Sequence, residues 1–219
     1  VYFFARTSSG WVNIPSSVTA GNSTDIEGSS GRFLVSDGGC GYNAHLIENQ
    51  ADGSYAEAHF FMGALREDGC DDEFYGGDVD IGGNRVVLGG PEVYLFTPNS
   101  SDGWDRLLIP PSAAPTAFGE YVALSGDTLL ASAPPSEGGP YIFLPPYQQN
   151  GGSLVRPDAL HAGEFGRMDT SNGDTSNGLA VVASFRDPAR SPDGGSIAVF
   201  GSSDNRTFDY AAQLVPSQA

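Results

Sequence analysis

The chain has 219 residues, 39% of them hydrophobic, and a formal net charge of −17. Length and apolar content suffice for a packed core, so we expect one folded domain over residues 1–219. Every basic residue is an arginine, and the absence of lysine excludes Schiff-base and P-loop lysine chemistry. So acidic a surface disfavours nucleic acid and membrane surfaces as partners, and no stretch is long enough for membrane insertion. Solubility explains the acidity better than cation binding does.

Glycine and proline shape the predicted secondary structure. The 30 Gly and 15 Pro, with no long apolar run at helical period, predict many short strands joined by tight turns. One stretch occurs twice, because Tyr75–Pro91 and Phe118–Pro134 align without a gap. A repeat at this period is typical of solenoids, propellers and arrays. We therefore expect repeated units of four strands, named a to d in chain order.

Five units follow one another along the chain, and the first contains only the outer strands c and d. The units cover approximately residues 1–20, 21–65, 66–111, 112–160 and 161–219. The predicted strands are Val1–Phe4 (c) and Trp11–Ile14 (d); Arg32–Val35 (b), Tyr42–Ile47 (c) and Tyr55–Phe61 (d); a and b within Tyr75–Pro91, Glu92–Phe96 (c) and Trp104–Ile109 (d); Phe118–Leu124 (a), Thr128–Ala133 (b), Tyr141–Leu144 (c) and Ser153–Arg156 (d); an a strand opening at Phe165, then Leu179–Ser184 (b), Ser196–Phe200 (c) and Phe208–Val215 (d).

The fold class predicted from these units is all-β, a β-propeller of four-stranded antiparallel blades with about four and a half blades present. The last unit has its own c and d strands, so nothing completes the half unit at the N-terminus. We expect the chain to be part of a larger propeller. The alternative is an extra strand pair, Val1–Ile14, on a small closed ring.

The repeated stretch resembles an FG-GAP repeat, the blade unit of integrin α-type β-propellers. The resemblance rests on Phe118-Gly119, the following Val122–Asp127 and the closing Ala133-Pro134, and it is good for Tyr75–Pro91. It implies extracellular roles in adhesion, ligand or glycan binding, and scaffolding. Fold alone does not determine function, so the individual sites have to be weighed.

The same resemblance implies a place to look for calcium. Integrin-like blades often carry an Asp-x-Asp-x-Asp-Gly loop between strands a and b, where several oxygens surround the ion. The a–b loop with Asp169, Ser171 and Asp174 is the weak calcium candidate, although Gly173 stands where a third acidic ligand is expected. An ordinary Asn/Gly-rich loop is the favoured interpretation. We expect no other cofactor.

Cysteines and glycosylation sequons favour an oxidising, secreted or cell-surface setting. In a propeller, Cys40 in a b–c loop and Cys70 in the next d–a loop reach the same face, which favours a disulfide over two free thiols. Sequons begin at Asn22, Asn99 and Asn205. Asn99 and Asn205 fall in c–d turns at the outer rim, and Asn22 falls in a d–a connection.

We find no catalytic constellation in the sequence and expect a protein that is not an enzyme. His45, His59 and His161 are scattered without metal-ligand spacing. The acidic run Glu67–Glu73 contains enough carboxylates for a glycosidase pair, yet neighbouring acids in a loop are more often a solvated surface. Four aromatic residues recur at strand starts, and packing between blades is their default role: Trp11, Tyr55, Trp104 and Tyr141.

These observations predict a non-catalytic extracellular scaffold or adhesion module within a larger assembly. Its expected partners are other extracellular proteins or glycans, and neighbouring segments of a larger chain; open strand edges favour such joining. A glycan-binding lectin propeller is the alternative, and it requires exposed aromatic side chains in successive blades. An accessory domain of a secreted hydrolase is a weaker alternative.

Overall fold

The computed structural model describes residues 2–16, 25–37, 43–63, 78–90, 92–109, 118–119, 121–132, 141–147, 152–153, 179–184, 196–202 and 208–214. Within these ranges we find no helix that is long and apolar enough to cross a membrane.

The described residues form β-strands connected by turns. In chain order the strands are β1 (Phe3–Thr7), β2 (Gly10–Ile14), β3 (Ile26–Ser29), β4 (Arg32–Asp37), β5 (Asn43–Asn49), β6 (Tyr55–Phe61), β7 (Val79–Gly82), β8 (Arg85–Leu88), β9 (Val93–Pro98), β10 (Trp104–Ile109), β11 (Val122–Ser125), β12 (Thr128–Ala131), β13 (Tyr141–Phe143), β14 (Gly152–Ser153), β15 (Leu179–Ser184), β16 (Ser196–Gly201) and β17 (Asp209–Leu214).

The strands pair with their neighbours in sequence to form antiparallel sheets. Three sheets have four strands, in the orders β3-β4-β5-β6, β7-β8-β9-β10 and β11-β12-β13-β14. A two-stranded sheet, β1-β2, precedes them, and a sheet with three described strands, β15-β16-β17, follows. The predicted all-β class is confirmed, and four-stranded antiparallel meanders of this kind are consistent with β-propeller blades. Each sheet lies within one of the five predicted units.

The predicted start of strand a in the fourth unit is wrong. Strand β11 begins at Val122, whereas Phe118 and Gly119 lie in a turn. Gly119 has a φ of +83°, a left-handed conformation that glycine adopts readily, and its N–H donates to the carbonyl oxygen of Ser132 at 2.9 Å. The Phe118 side chain is buried among the residues between two sheets. The aromatic residue therefore belongs to the core without belonging to the strand.

Apolar side chains fill the space between successive sheets. In β7, the Val79 and Ile81 side chains contact the preceding sheet, where they pack with Leu34 and Leu46. From the following strand, Val87 points the other way and joins the cluster shared with the β11–β14 sheet. Because side chains alternate along a strand, each interior sheet buries both of its faces. The five sheets thus stack in chain order.

Glycines occur where the backbones of two sheets come close together. A Cβ atom at Gly82 would lie 2.6 Å from the carbonyl oxygen of Leu124 in the next sheet, and one at Gly89 would lie 2.3 Å from that of Gly119. No side chain fits at such a distance from backbone. Both glycines belong to the repeated stretch, so close packing of the sheets explains part of its glycine content.

We predict that Gly82→Ala lowers the free energy of unfolding by about 1–3 kcal/mol, because its methyl group forces the two sheets apart. Gly201→Ala in β16 is the matched control, since its Cβ would meet the Ala211 Cβ at an ordinary 3.8 Å. Urea unfolding of the three proteins measures the difference. Equal stability of the two variants would contradict close packing at Gly82.

Candidate functional site: the inner-strand carboxylates

The first strands of the three four-stranded sheets are β3, β7 and β11, and we call them the inner strands. They start with the same backbone geometry. The carbonyl oxygen of the residue before each inner strand accepts a hydrogen bond from a residue at the end of the second strand of the same sheet. The three bonds are Ser36 N–H to Asp25 O at 3.0 Å, Gly89 N–H to Asp78 O at 2.8 Å, and Ser132 N–H to Tyr121 O at 2.9 Å. Asp25, Asp78 and Tyr121 are therefore equivalent positions of the repeat.

Carboxylates at these inner strands connect each sheet to the following one. Asp25 Oδ2 accepts the Val79 N–H at 3.1 Å, and Asp78 Oδ2 accepts the Val122 N–H at 2.8 Å. Both bonds reach the first residue of the next inner strand. Asp80 Oδ2 adds a third bond of this kind, from the Leu124 N–H at 2.5 Å. We call Asp25, Asp78 and Asp80 the inner-strand carboxylates.

Arginines at the start of the second strand make a parallel set of contacts. Arg32 donates to the carbonyl oxygen of Gly83, in the turn between β7 and β8. Arg85, its equivalent, donates to Gly126 O at 3.1 Å in the turn of the next sheet, and also to the Asp127 carboxylate. The hydrogen bond to Asp127 raises the pKa of Arg85 further above its ordinary value. The guanidinium groups thus hold the turns at one end of the sheets.

Burial changes the titration of the acids between the sheets. Desolvation is the largest cause of a pKa near 8 for Asp78, and the neighbouring carboxyl groups of Asp25 and Asp80 raise it further. Desolvation likewise raises the pKa of Asp80. It also raises the pKa of Glu27 to about 7, with Asp80 and Asp25 contributing. Perturbed carboxyl groups occur at catalytic sites and at structural clusters alike.

The contacts of these carboxylates favour a structural role. The oxygens described above accept backbone N–H groups, so they hold the sheets in register. Over the described ranges, no group of three or more His, Cys, Asp or Glu side chains is arranged to hold a metal ion. The arrangement is suited to fastening one sheet to the next.

Two of the three histidines lie in strands and contact neighbouring side chains. His45 Nδ1 and Glu57 Oε2 are 2.7 Å apart across β5 and β6. The His59 ring packs against the rings of Phe61 and Trp104, at centroid distances of 4.6 Å and 6.0 Å. Packing of this kind is an ordinary role for a histidine in a sheet. His161 lies outside the described residues.

Most site residues predicted from sequence lie outside the described residues. This holds for the disulfide candidates Cys40 and Cys70, the calcium candidates Asp169, Ser171 and Asp174, the sequon residues Asn22 and Asn205, and the acidic run 67–73. All of them remain predictions.

Asn99 is the sequon residue that the structure describes, and it lies in the turn between β9 and β10. Its Oδ1 accepts the N–H groups of Ser101 at 3.0 Å and Gly103 at 3.1 Å. Its Nδ2, the atom that carries an N-linked glycan, donates to Asp105 Oδ1 at 2.9 Å. The side chain therefore shapes the turn, and the predicted c–d location of this residue agrees with the structure.

The aromatic residues at the strand starts differ in exposure. Tyr55 stacks on Phe3 at a centroid distance of 4.5 Å, Trp104 packs edge-on to Phe61, and Tyr141 is buried, all in line with packing between sheets. Trp11 does not follow this expectation, because 70% of it is exposed. Its strand belongs to the first sheet, which has a described neighbour on one face only.

Both end sheets leave an apolar face open among the described residues. On the β1–β2 sheet, the strand register places Trp11 on the same face as Phe4, which is 58% exposed. On the β15–β17 sheet, Ile197 pairs with Leu214, which is 57% exposed. We call these the first and the last open face. The other faces of the same sheets are covered, by the clusters around Phe3 and Phe200.

Sequence reasoning missed the inner-strand carboxylates and their arginine partners. The available signal was a spacing: Arg32 follows Asp25 by seven positions, and Arg85 follows Asp78 by seven. The aligned repeat contains one of these pairs, but Tyr121 and Thr128 replace it in the second copy. The alignment that revealed the repeat therefore concealed its polar contacts.

Comparison with known proteins does not assign the chain to a family. No family model and no curated protein matches the chain. A solved structure, a mutant puromycin hydrolase in complex with PGG, is similar at a TM-score of 0.48 and 14% identity. The match covers 90% of this chain and 32% of the hydrolase chain, so this chain spans about a third of that length.

We predict that the protein loses stability as the pH rises from about 4 to about 8. The pKa of Asp78 in the folded state, about 8, lies above its ordinary value of 3.8, so between these values the folded protein holds a proton that the unfolded chain has lost. Glu27 and Asp80 shift in the same direction. Each pKa unit corresponds to about 1.4 kcal/mol. Melting temperatures measured across this range test the slope.

Asp78→Asn keeps an oxygen for the Val122 N–H and removes the charge, so this variant should show a shallower slope and a higher melting temperature at pH 8. Asp52→Asn is the control. Hydrogen bonds from Ser54 lower the pKa of this exposed acid, so its titration lies below the tested pH range and the substitution should leave the slope unchanged. The interpretation fails if Asp78→Asn and wild type have the same slope.

Proposed function

We propose that the chain is a non-catalytic scaffold or adhesion segment of a larger extracellular β-propeller of the FG-GAP kind. The five stacked sheets correspond to about four and a half blades. The first open face carries this proposal. Interior sheets bury both faces, whereas Phe4 and Trp11 present large apolar side chains to solvent. Exposed apolar patches of this type mark surfaces that contact other macromolecules.

The chemistry of the described residues supports a role without catalysis. The acids with raised pKa values, Asp78 and Asp80, accept backbone N–H groups of the next sheet. Buried carboxyl groups used in this way stabilise the stack and are not directed at a substrate. The resemblance of Phe118–Pro134 to FG-GAP repeats supports the extracellular setting, as do the predicted disulfide and sequons.

A lectin is the alternative, and the exposure of Trp11 is the observation in its favour. An indole and a phenyl ring on one sheet face offer a surface on which a sugar ring can stack. Equivalent aromatic residues at the starts of β6 and β10, Tyr55 and Trp104, are packed against other rings. A lectin with the same pocket in every blade is therefore disfavoured, and a single site at Trp11 is the form that remains.

We predict that Trp11 is covered in the full-length product of the gene. Trp104→Phe leaves Trp11 as the sole tryptophan of this chain, so quenching of its fluorescence by acrylamide reports on the first open face. Quenching should be strong in residues 1–219 alone and at least severalfold weaker in the full-length protein, once other tryptophans there are replaced.

The matched control is Trp11→Phe, which retains Trp104 between sheets and should give weak quenching in both proteins. Equally strong quenching of Trp11 in both proteins would contradict the proposal. Addition of glycans tests the alternative: protection of Trp11 by a sugar in residues 1–219 would favour the lectin.

We also predict an N-linked glycan on Asn99 when the full-length protein passes through a eukaryotic secretory pathway. The residue lies in an accessible turn, and its Nδ2 contacts only the exposed Asp105 carboxylate among the contacts described above. Glycosidase treatment followed by mass spectrometry of the peptide measures occupancy. Ser101→Ala removes the sequon and retains Asn99 as the control. An unmodified Asn99 in a secreted product would count against the extracellular assignment.

A further inference from the structure

The inner strand β3 exposes a position that its two equivalents bury. Ile26, Val79 and Val122 each follow the aligned Asp25, Asp78 and Tyr121. Val79 and Val122 are both 2% exposed, because the preceding sheet covers them, whereas Ile26 is 53% exposed. The same position of the repeat is therefore buried in two sheets and exposed in one. The difference in exposure depends on whether a preceding sheet covers the position.

Among the described residues the first sheet has two strands, and Ile26 stays exposed beside them, which leaves a gap over this residue. Ile26 pairs with Val35, so both side chains are directed to the face on which the β1–β2 sheet packs. The Tyr55 N–H donates to Pro15 O at 3.1 Å, and Ser16 forms a parallel bridge with Tyr55, which places the end of β2 beside the outermost strand β6. Strand β1 consequently lies on the inner side. Among the described residues it pairs only with β2, so its other edge borders the gap.

Backbone hydrogen bonds show what the covering element supplies elsewhere. The Val79 and Val122 N–H groups are accepted by aspartates of the preceding sheet, Asp25 and Asp78. At the equivalent Ile26, the N–H donates to the side chain of its own neighbour, Asp25 Oδ1, at 2.9 Å. An acceptor from a preceding sheet is the contact that distinguishes the two covered strands from β3.

The turn that follows β3 repeats the geometry recognised by arginine in the other sheets. Arg32 and Arg85 donate to the carbonyl oxygens of Gly83 and Gly126, whose φ angles are 61° and 57°. The equivalent residue between β3 and β4 is Ser30, with a φ of 54°. Its carbonyl group occupies the corresponding position for an arginine of a preceding sheet.

We propose that this gap is a docking site for a β-hairpin whose first strand begins after an aspartate and whose second strand begins with an arginine seven positions later. The hairpin would pair with the free edge of β1, cover Ile26, accept its N–H and donate to Ser30 O. This inference rests on the proposed function, because it names the element that completes the first blade. The occupant is assigned by continuity, since the same interface covers Val79 and Val122.

No other segment of residues 1–219 has the spacing of such a hairpin. The sequence contains an aspartate and an arginine at this spacing only at Asp25 and Arg32 and at Asp78 and Arg85. Both pairs already lie between sheets of this chain.

The test adds a second copy of residues 78–90 directly before Val1. In this extended chain the connection from the copied β8 to Phe3 has the same length as the natural connection from Leu88 to Val93. We expect hydrogen exchange at the Ile26 amide to slow by about tenfold or more, as for an amide that gains a stable partner. The matched control replaces the aspartate and the arginine of the copy by alanine, and it should lose most of this protection.

A second measurement does not depend on folding of the extended chain. The synthetic peptide of residues 78–90, added to unmodified protein, should shift the amide resonances of Ile26 and of β1 more than the doubly substituted peptide does. An isolated hairpin is only marginally stable, so high peptide concentrations are needed. Unchanged exchange at Ile26 in the extended chain, or equal effects of both forms, overturns the inference. So does a dimer of the unmodified chain that protects Ile26.

The two proposals fail separately because their readouts lie on different surfaces. Trp11 reports on the first open face, and Ile26 reports on the gap beside β1. Burial of Trp11 in the full-length protein with free exchange at Ile26 would retain the scaffold and reject the hairpin. Protection of Ile26 by the hairpin with Trp11 still exposed in the full-length protein would retain the hairpin and reject the scaffold.

Discussion

The stacking of the three four-stranded sheets depends on backbone N–H groups of one sheet being accepted by aspartate side chains of the sheet before it. An inner strand has an unpaired edge, and its N–H groups cost free energy when a neighbouring sheet buries them. Asp25 and Asp78 accept the first N–H of the next inner strand, and Asp80 accepts a later one. Since each bond joins one defined residue to another, the sheets cannot slide past each other without losing it. Apolar packing alone would leave this register less specified.

These contacts have a direction, and the direction explains why the two ends of the stack differ. The β3–β6 and β7–β10 sheets each supply an aspartate and an arginine to the following sheet, and among the described residues no preceding sheet supplies such a pair to β3–β6. At the other end, Tyr121 and Thr128 stand where the pair would be. The described contact from the fourth sheet to the fifth includes apolar side chains such as Leu130 and Phe200. The second and third interfaces therefore combine large apolar clusters with these polar contacts.

Strand positions followed from sequence more readily than side-chain environments. Apolar residues mark several of the strands, and Leu179–Ser184 was predicted with the bounds that β15 has. Inner strands are harder, because Asp80 is directed into the space between sheets where alternation leads one to expect an apolar residue. The exposure of Trp11 was unpredictable for another reason: its burial depends on a neighbouring sheet, and local sequence carries no information about that neighbour. The same holds for Ile26.

The acidity of the chain consequently has two physical meanings. Exposed carboxylates such as Asp52 and Asp105 fit the interpretation that negative charge maintains solubility. Asp78 and Asp80 do not, since desolvation raises their pKa values and their ionisation opposes folding as the pH rises. Replacing them with apolar residues would remove that cost, but it would also leave the Val122 and Leu124 N–H groups without their acceptors, at about 1–3 kcal/mol each. With a pKa of about 8, the Asp78 carboxyl group accepts the Val122 N–H while it avoids most of the cost of a buried charge near neutral pH, which is why this aspartate is tolerated between two closely packed sheets.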